Sequence, residues 1–337
     1  MHKLSSKALK AQSLYVVIDI IIYMKSLIDF ALNEEYERVK KLGDRLMEIE
    51  SVIDWEAFRL IVGEMYENRS ERGGRPNIDE VLMVKLLVLQ QWHGLSDPEL
   101  EKQVTDRISF RKFLVFPAVI PDFTTVWYFR ERLAKTGKDK AIWEELQRQL
   151  DSMGLKVKCG VVQDATFITS DPGHAKADTP RGDEAKTRRS KDGTWAKKGS
   201  KSFFGYKLHS KPDMDYGLIR DLKTTTASVH DSQVDLSREG EVVYRDKGYY
   251  GTNPKGYSAT MKRSARDHPL SIMDKLRNTR ISKKRSPGER QYAVISRVFN
   301  ASHVMVTTVR RVSVKMIFTA FGFNLYQLCT LKKQGAV

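Results

Sequence analysis

The chain is poor in cysteine: it has two, Cys159 and Cys329. They lack the close spacing of a zinc-binding pair and are too few to form a disulfide framework. A reducing, intracellular setting follows, with cytoplasmic, nucleoid-associated localisation expected. Long apolar runs are also missing. The most hydrophobic stretch near the N-terminus, Leu14 to Met24, is about half the ~20 residues that a membrane span needs, and it contains Asp19. No small-residue cleavage site follows it, which argues against a signal peptide, and the stretch reads as part of a buried helix. Acidic charge is the third shortage, with 42 Asp and Glu against 58 Lys and Arg, for a net charge of +16. Such a balance suits a phosphate-bearing partner, because Lys and Arg displace the counterions condensed on DNA.

Hydrophobic residues make up 41% of the chain and charged ones 30%, so the composition is that of a globular protein long enough for two cores. Residues 1–150 read as helical. Asp79 to His93 is apolar on most sides, as the central helix of a bundle would be, and Gly94 ends it. Ser96 and Glu99 have capping-box spacing, with Ser96 to cap the next helix and Glu99 to reach back. A short helix near Ser109–Leu114 and another over Thr124–Ala134, carrying Arg130 and Arg132, complete a pattern that fits a helix-turn-helix or an ordinary bundle equally well.

Beyond Gly154 the periodicity changes. Val157–Ile168, Phe203–Ser210, Leu218–Ala227 and Glu241–Tyr244 read as strands, and a short helix starts near His230-Asp231. From Gly288 onward the pattern is helical, ending in an apolar helix over Ile317–Leu331 that packs on the sheet. This order is a mixed α/β unit rather than an alternating βαβ series. Two stretches are strongly basic. Residues 171–201 have no apolar pattern and read as a mobile loop containing Trp195, an aromatic able to stack on a base; residues 255–290 carry a second cluster.

Three acids stand out by their surroundings. Asp164 ends an apolar run (GVVQDATFI), Asp246 follows a second one beside glycine (EVVYRDKGYYG), and Glu289 opens a helical segment (SPGERQYAVISRVF). Within a strongly basic chain, converging carboxylates would form a divalent-cation site facing nucleic acid. That combination suits phosphodiester chemistry.

The stretches VVQDATFI, FFGYKLHS, TTTASVHDSQ and VVYRDKGYYG, together with the long segment from SPGERQ to FNLYQL, resemble the catalytic domain of DDE-type insertion-sequence transposases. The insertion-sequence-five-like group is the nearest. RPNIDEVLMVKLLVLQQWHGLSDPEL and PDFTTVWYFRERL resemble that family's helical N-terminal domain. The resemblance implies an α+β protein with a helical N-terminal extension (1–74), a helical DNA-binding domain (75–152) and a ribonuclease-H-like catalytic domain (153–337) interrupted by the basic loop 171–201. It implies that Asp164, Asp246 and Glu289 are the catalytic residues and hold two Mg²⁺ or Mn²⁺ ions. It further implies cleavage and joining of DNA at terminal inverted repeats, by a homodimer or higher assembly. Arg285 falls on the family's arginine one turn before the Glu. Ser282 and Ser296 stand where the family has Tyr and Lys, with Arg297 beside the latter. Arg285, Arg297, Lys207, Arg130 and Arg132 are the expected DNA-binding side chains. The departures at Ser282 and Ser296 leave a second reading open, a transposase-derived DNA-binding protein with weakened catalysis. A structure-selective nuclease on the same core is a third.

Overall fold

The computed structural model describes residues 30–66, 77–173, 190, 192–266 and 268–336. The expected helix over Leu14–Met24 lies outside them, as does most of the basic loop. Eleven helices and eight short strands are present among the described residues: α1 (30–41), α2 (Arg45–Glu50), α3 (Ala57–Gly63), α4 (Glu80–Trp92), α5 (Asp97–Asp106), α6 (Ile108–Phe113), α7 (Phe123–Thr136), α8 (Lys138–Ser152), β1 (Val161–Val162), β2 (Asp164–Ser170), β3 (Thr194–Lys198), β4 (Lys201–Pro212), β5 (Ile219–Thr226), β6 (Val242–Arg245), β7 (Tyr257–Thr260), α9 (Ile272–Arg285), α10 (Arg290–Arg297), β8 (His303–Val304) and α11 (Val309–Lys333). None of these helices is long and apolar enough to cross a membrane.

The helical half forms as its sequence dictates. Asp79 caps α4 by accepting a hydrogen bond from the Leu82 amide at 2.8 Å, and every residue from Val81 to Trp92 is buried. Gly94 turns the chain away at φ +61°. A Cβ there would meet the Phe299 carbonyl oxygen at 2.8 Å, so both the turn and the close approach require glycine. Ser96 caps α5 through the Glu99 amide at 3.3 Å. The return half of the expected capping box is absent, because the Glu99 carboxylate accepts from Gln103, one turn further along its own helix.

β4 runs antiparallel to β2, β3 and β5, β8 pairs in parallel with the far end of β2, and β1 leads into β2 after the single residue Gln163. On its other side β1 pairs in parallel with β6, and β6 with β7. With β1 and β2 taken as one strand, the order β5-β4-β2/β1-β6-β7 is that of a ribonuclease-H-like sheet. The fold is therefore the α+β architecture that the family resemblance implied.

Five elements differ from expectation. α9 and β7 lie in the stretch that reads as charge alone, and β8 is a short strand beside β2 within the stretch that reads as helical. β3 makes Thr194–Lys198 an edge strand of the sheet rather than part of a loop, with the Trp195 ring 5.3 Å from that of Phe204. α11 begins at Val309 and spans 25 residues. It packs on β5, as expected of it, and also on α4, α2, α7 and α8, so one hydrophobic core runs from the helices into the sheet.

Candidate active site

The site is built where two adjacent parallel strands end. In the register of β1 and β6, Val162 lies opposite Tyr244. Two residues further along, that register sets Asp164 level with Asp246, on the same face of the sheet, because side chains alternate with period two. The intervening residues, Gln163 and Arg245, face the other way. Arg245 Nη2 donates to Gln163 Oε1 at 2.8 Å, both side chains being buried. Gln163 also donates to the Val234 carbonyl at 2.6 Å, and Arg245 pairs with Asp235. The residue preceding each acid thus ties the two strand ends together from behind. Asp246 then caps a 3₁₀ turn over Lys247–Tyr249, accepting from the Gly248 amide at 2.9 Å.

The electrostatics match this geometry. Burial raises the Asp164 carboxyl above the ordinary aspartate range. The Arg285 guanidinium and the Ala165 amide pull it down, and the nearby charges of Asp246 and Asp231 push it up again. Arg285 Nη2 reaches Asp164 Oδ2 at 3.0 Å. Taking charged groups out of water in this way disfavours the anion.

Glu289 closes a 3₁₀ turn over Ser286–Glu289 between α9 and α10, and its side chain is exposed. Gly288 presses this turn onto β1, since a Cβ there would lie 3.1 Å from Val162. The residues on either side of Glu289 both reach the Asp164 region. Arg285 does so through its ion pair. Tyr292 does so through its hydroxyl, 2.8 Å from that of Ser210, and Ser210 is the cross-strand partner of Asp164. Among the described residues, however, no three His, Cys, Asp or Glu side chains form a group that could hold a metal ion. Asp164 and Asp246 are brought together, and Glu289 stands at the rim.

Residues 155–325 match the family model described as the transposase DDE domain, and residues 33–132 match one described as a transposase domain. The chain belongs to the DDE transposase family. It is an enzyme of DNA transposition, acting on DNA. Among solved structures, the piggyBac transposase synaptic complex with hairpin DNA is similar at 12% identity and a TM-score of 0.43, over 88% of this chain and 74% of that one.

The other expected DNA-binding residues of the transposase have varied surroundings. Arg297 is exposed on the last turn of α10, next to the exposed Ser296. Lys207 is largely buried, donating to the Asp231 carboxylate at 2.9 Å and to the Val229 carbonyl at 2.8 Å, so it points inward rather than to solvent. Arg130 forks onto Asp97 and bonds to Gln90, while Arg132 lies 4.3 Å over the Tyr66 ring. Both arginines are engaged within the helical half.

Sequence reasoning reached only part of the transposase's site. His230-Asp231 reads either as a pair acting near the acids or as a helix start, and Asp231 is both: a nearby negative charge on Asp164 and the first residue of a 3₁₀ turn. Tyr249 is 1% exposed with no hydrogen-bond partner for its hydroxyl among the described residues, and burial raises its pKa, with the charges of Asp231, Asp164 and Asp246 adding to the rise. Its position three residues after Asp246 was the only signal in the sequence.

Proposed function

We propose that Asp164, Asp246 and Glu289 are the catalytic carboxylates, and that they hold divalent cations, two Mg²⁺ with Mn²⁺ as a substitute. The donor chemistry fits, since the three offer carboxylate oxygens, which hard cations prefer. The electrostatics fit as well. Arg285 alone does not bring the buried Asp164 back to an ordinary carboxyl, so the site is short of positive charge. The third ligand requires the exposed Glu289 side chain to turn inward from its rim. The level placement of Asp164 and Asp246 at the ends of adjacent parallel strands carries this reading.

When bound, such cations supply an activated attacking oxygen and stabilise the leaving one. The chain's own residues do the rest. The sheet holds Asp164 and Asp246 at a fixed separation, with the Gln163–Arg245 contact bracing them from behind. The 3₁₀ turn carries Glu289 at the rim, from which its side chain would swing in, and Arg285 places a cation beside Asp164, where a scissile phosphate would lie. Arg297 is exposed on the next helix to meet the same strand. On this reading the enzyme hydrolyses strand ends to free 3′-hydroxyls and joins them to target DNA by transesterification. The helical half, residues 75–152, recognises terminal inverted repeats. Handling two ends at once calls for at least a homodimer on DNA.

A cleavage and joining assay on DNA carrying the flanking element ends tests this, with Asp164→Ala in parallel. Mg²⁺-dependent cutting and joining is expected, falling by at least two orders of magnitude in the variant, as for loss of a residue that acts only in the transition state. Specific binding to the ends without cutting under either metal would replace this reading with that of a DNA-binding protein.

A further inference from the structure

A groove of about 590 Å³ lies between the turn after β6 and one face of α9. Lys247, Lys275, Asn278, Ser282, Lys283 and Ser286 line it, and none of its lining residues is acidic. Lys275, Ser282, Lys283 and Ser286 recur at helical spacing, so α9 presents them as one stripe. From Lys275 to Ser286 the stripe runs about 16 Å at 1.5 Å per residue. Among the described residues the three lysines are exposed and none takes part in an ion pair, although Lys262 on the neighbouring segment is paired with Asp274. Asn278 is spent internally, its side chain bonding both the amide and the carbonyl of Lys262. It fixes the floor while the lysines and serine hydroxyls stay free to meet a ligand.

The groove borders the acidic site at both ends of the sequence that forms it. Lys247 directly follows Asp246, and Ser286 opens the turn that carries Glu289. Three unpaired ammonium groups and two hydroxyls in a concave, acid-free wall form a receptor for oxyanions arranged in a row. An isolated small anion would leave most of the stripe unused. A polyphosphate chain fills it, and the phosphates of one duplex strand recur every ~3.4 Å along the axis.

We propose that this groove is the track for the phosphodiester backbone of the DNA strand entering or leaving the acidic site, and that Lys247, Lys275 and Lys283 bind its phosphates. The proposal rests on the reading of Asp164 and Asp246 as the site of phosphodiester chemistry, and it relies on none of the five cationic residues named above. The interactions are electrostatic and independent of sequence, so they set the salt dependence of binding without discriminating between bases.

The test measures binding rather than cleavage. Affinity for a duplex of unrelated sequence is followed by fluorescence anisotropy from low to moderate salt, without divalent metal, in an Asp164→Asn background. Adding K247A, K275A and K283A together should lower the slope of log K against log salt by about one for each phosphate that is no longer neutralised. Replacing the same three by arginine should keep the slope of the parent. Removing three lysines that do not line the groove, K40A, K332A and K333A, should change it little. An unchanged slope in the first set would overturn the proposal, as would an equal fall in the control set, which would mean that net charge alone is felt. A reduced slope in the arginine set would also overturn it, by showing a structural role. Because no cleavage is read, an inactive site leaves this result interpretable. Failure of the groove likewise leaves the cleavage assay untouched.

Discussion

One buried and one half-buried histidine give the protein a predictable acid sensitivity. His209 on β4 is fully buried, its Nε2 beside the Thr225 hydroxyl at 2.9 Å, and burial pushes its pKa down to about 4. His93, at the end of α4 with its ring 4.7 Å from Phe110, is also lowered to about 4, by burial and by the charge of Arg107. Both rings are neutral in the folded protein and take up protons on unfolding once the pH drops below the ordinary 6.5. Their contribution to stability is complete above that value and is lost as the pH falls towards about 4. The slope approaches ~1.4 kcal/mol per pH unit for each histidine. Urea unfolding across this window should show the decline, and His209→Asn should remove about half of it. A pH-independent midpoint between these values would contradict the lowered pKa of both rings. At this scale the sequence was partly informative. Asp164 and Asp246 were visible because each ends an apolar run, whereas Gln163 and Arg245 drew no notice because a brace behind a strand has no pattern of its own.

Among the elements, α11 has the largest structural role. Its first turn carries Arg310, whose guanidinium binds Asp139 on α8 and the Leu133 and Ala134 carbonyls at the end of α7. Asp139 has no exposed side-chain surface, so without Arg310 it would be a buried charge lacking its counterion. Arg310→Met should cost about 3 kcal/mol, and adding Asp139→Asn should recover a good part of that. Chemical denaturation of the single and double variants measures it, and equal losses in both would mean that the stranded Asp139 charge is not what Arg310→Met costs. Helices such as α4, apolar all round, and α7, apolar on one face, were legible in the sequence. α9 was not. Ile281 is its one buried aliphatic residue, and its cationic stripe reads as a charge run until the fold curls it around a groove. β7, a short strand that pairs with β6 alone, gave too little pattern to be read.

Across the whole molecule, the helical half and the sheet share one hydrophobic core through α11, so the boundary near residue 152 divides the sequence more than it divides the packing. Calorimetry should therefore show a single unfolding transition, and residues 153–337 expressed alone should fail to fold cooperatively. Two separated transitions would show that the shared core does not couple the halves. The excess of basic residues serves two purposes at this scale. Part of it is spent internally, in pairs such as Arg310 with Asp139 and Arg220 with Asp213. Others among the described residues, such as Lys275 and Lys283 on α9, face solvent.

The succession of a helical half and a sheet half, the two aspartates that follow apolar runs and the attraction to polyanions were set by the sequence alone. Each depends on local periodicity or on summed charge, which neighbouring residues suffice to determine. Which lysines are free and which are buried, that Asp231 and Tyr249 join the acids, and that Gly288 seats the Glu289 turn on β1 were decided only by the tertiary structure. Each of these depends on contacts between residues far apart in the chain, where burial, register and close packing rather than residue type fix the outcome.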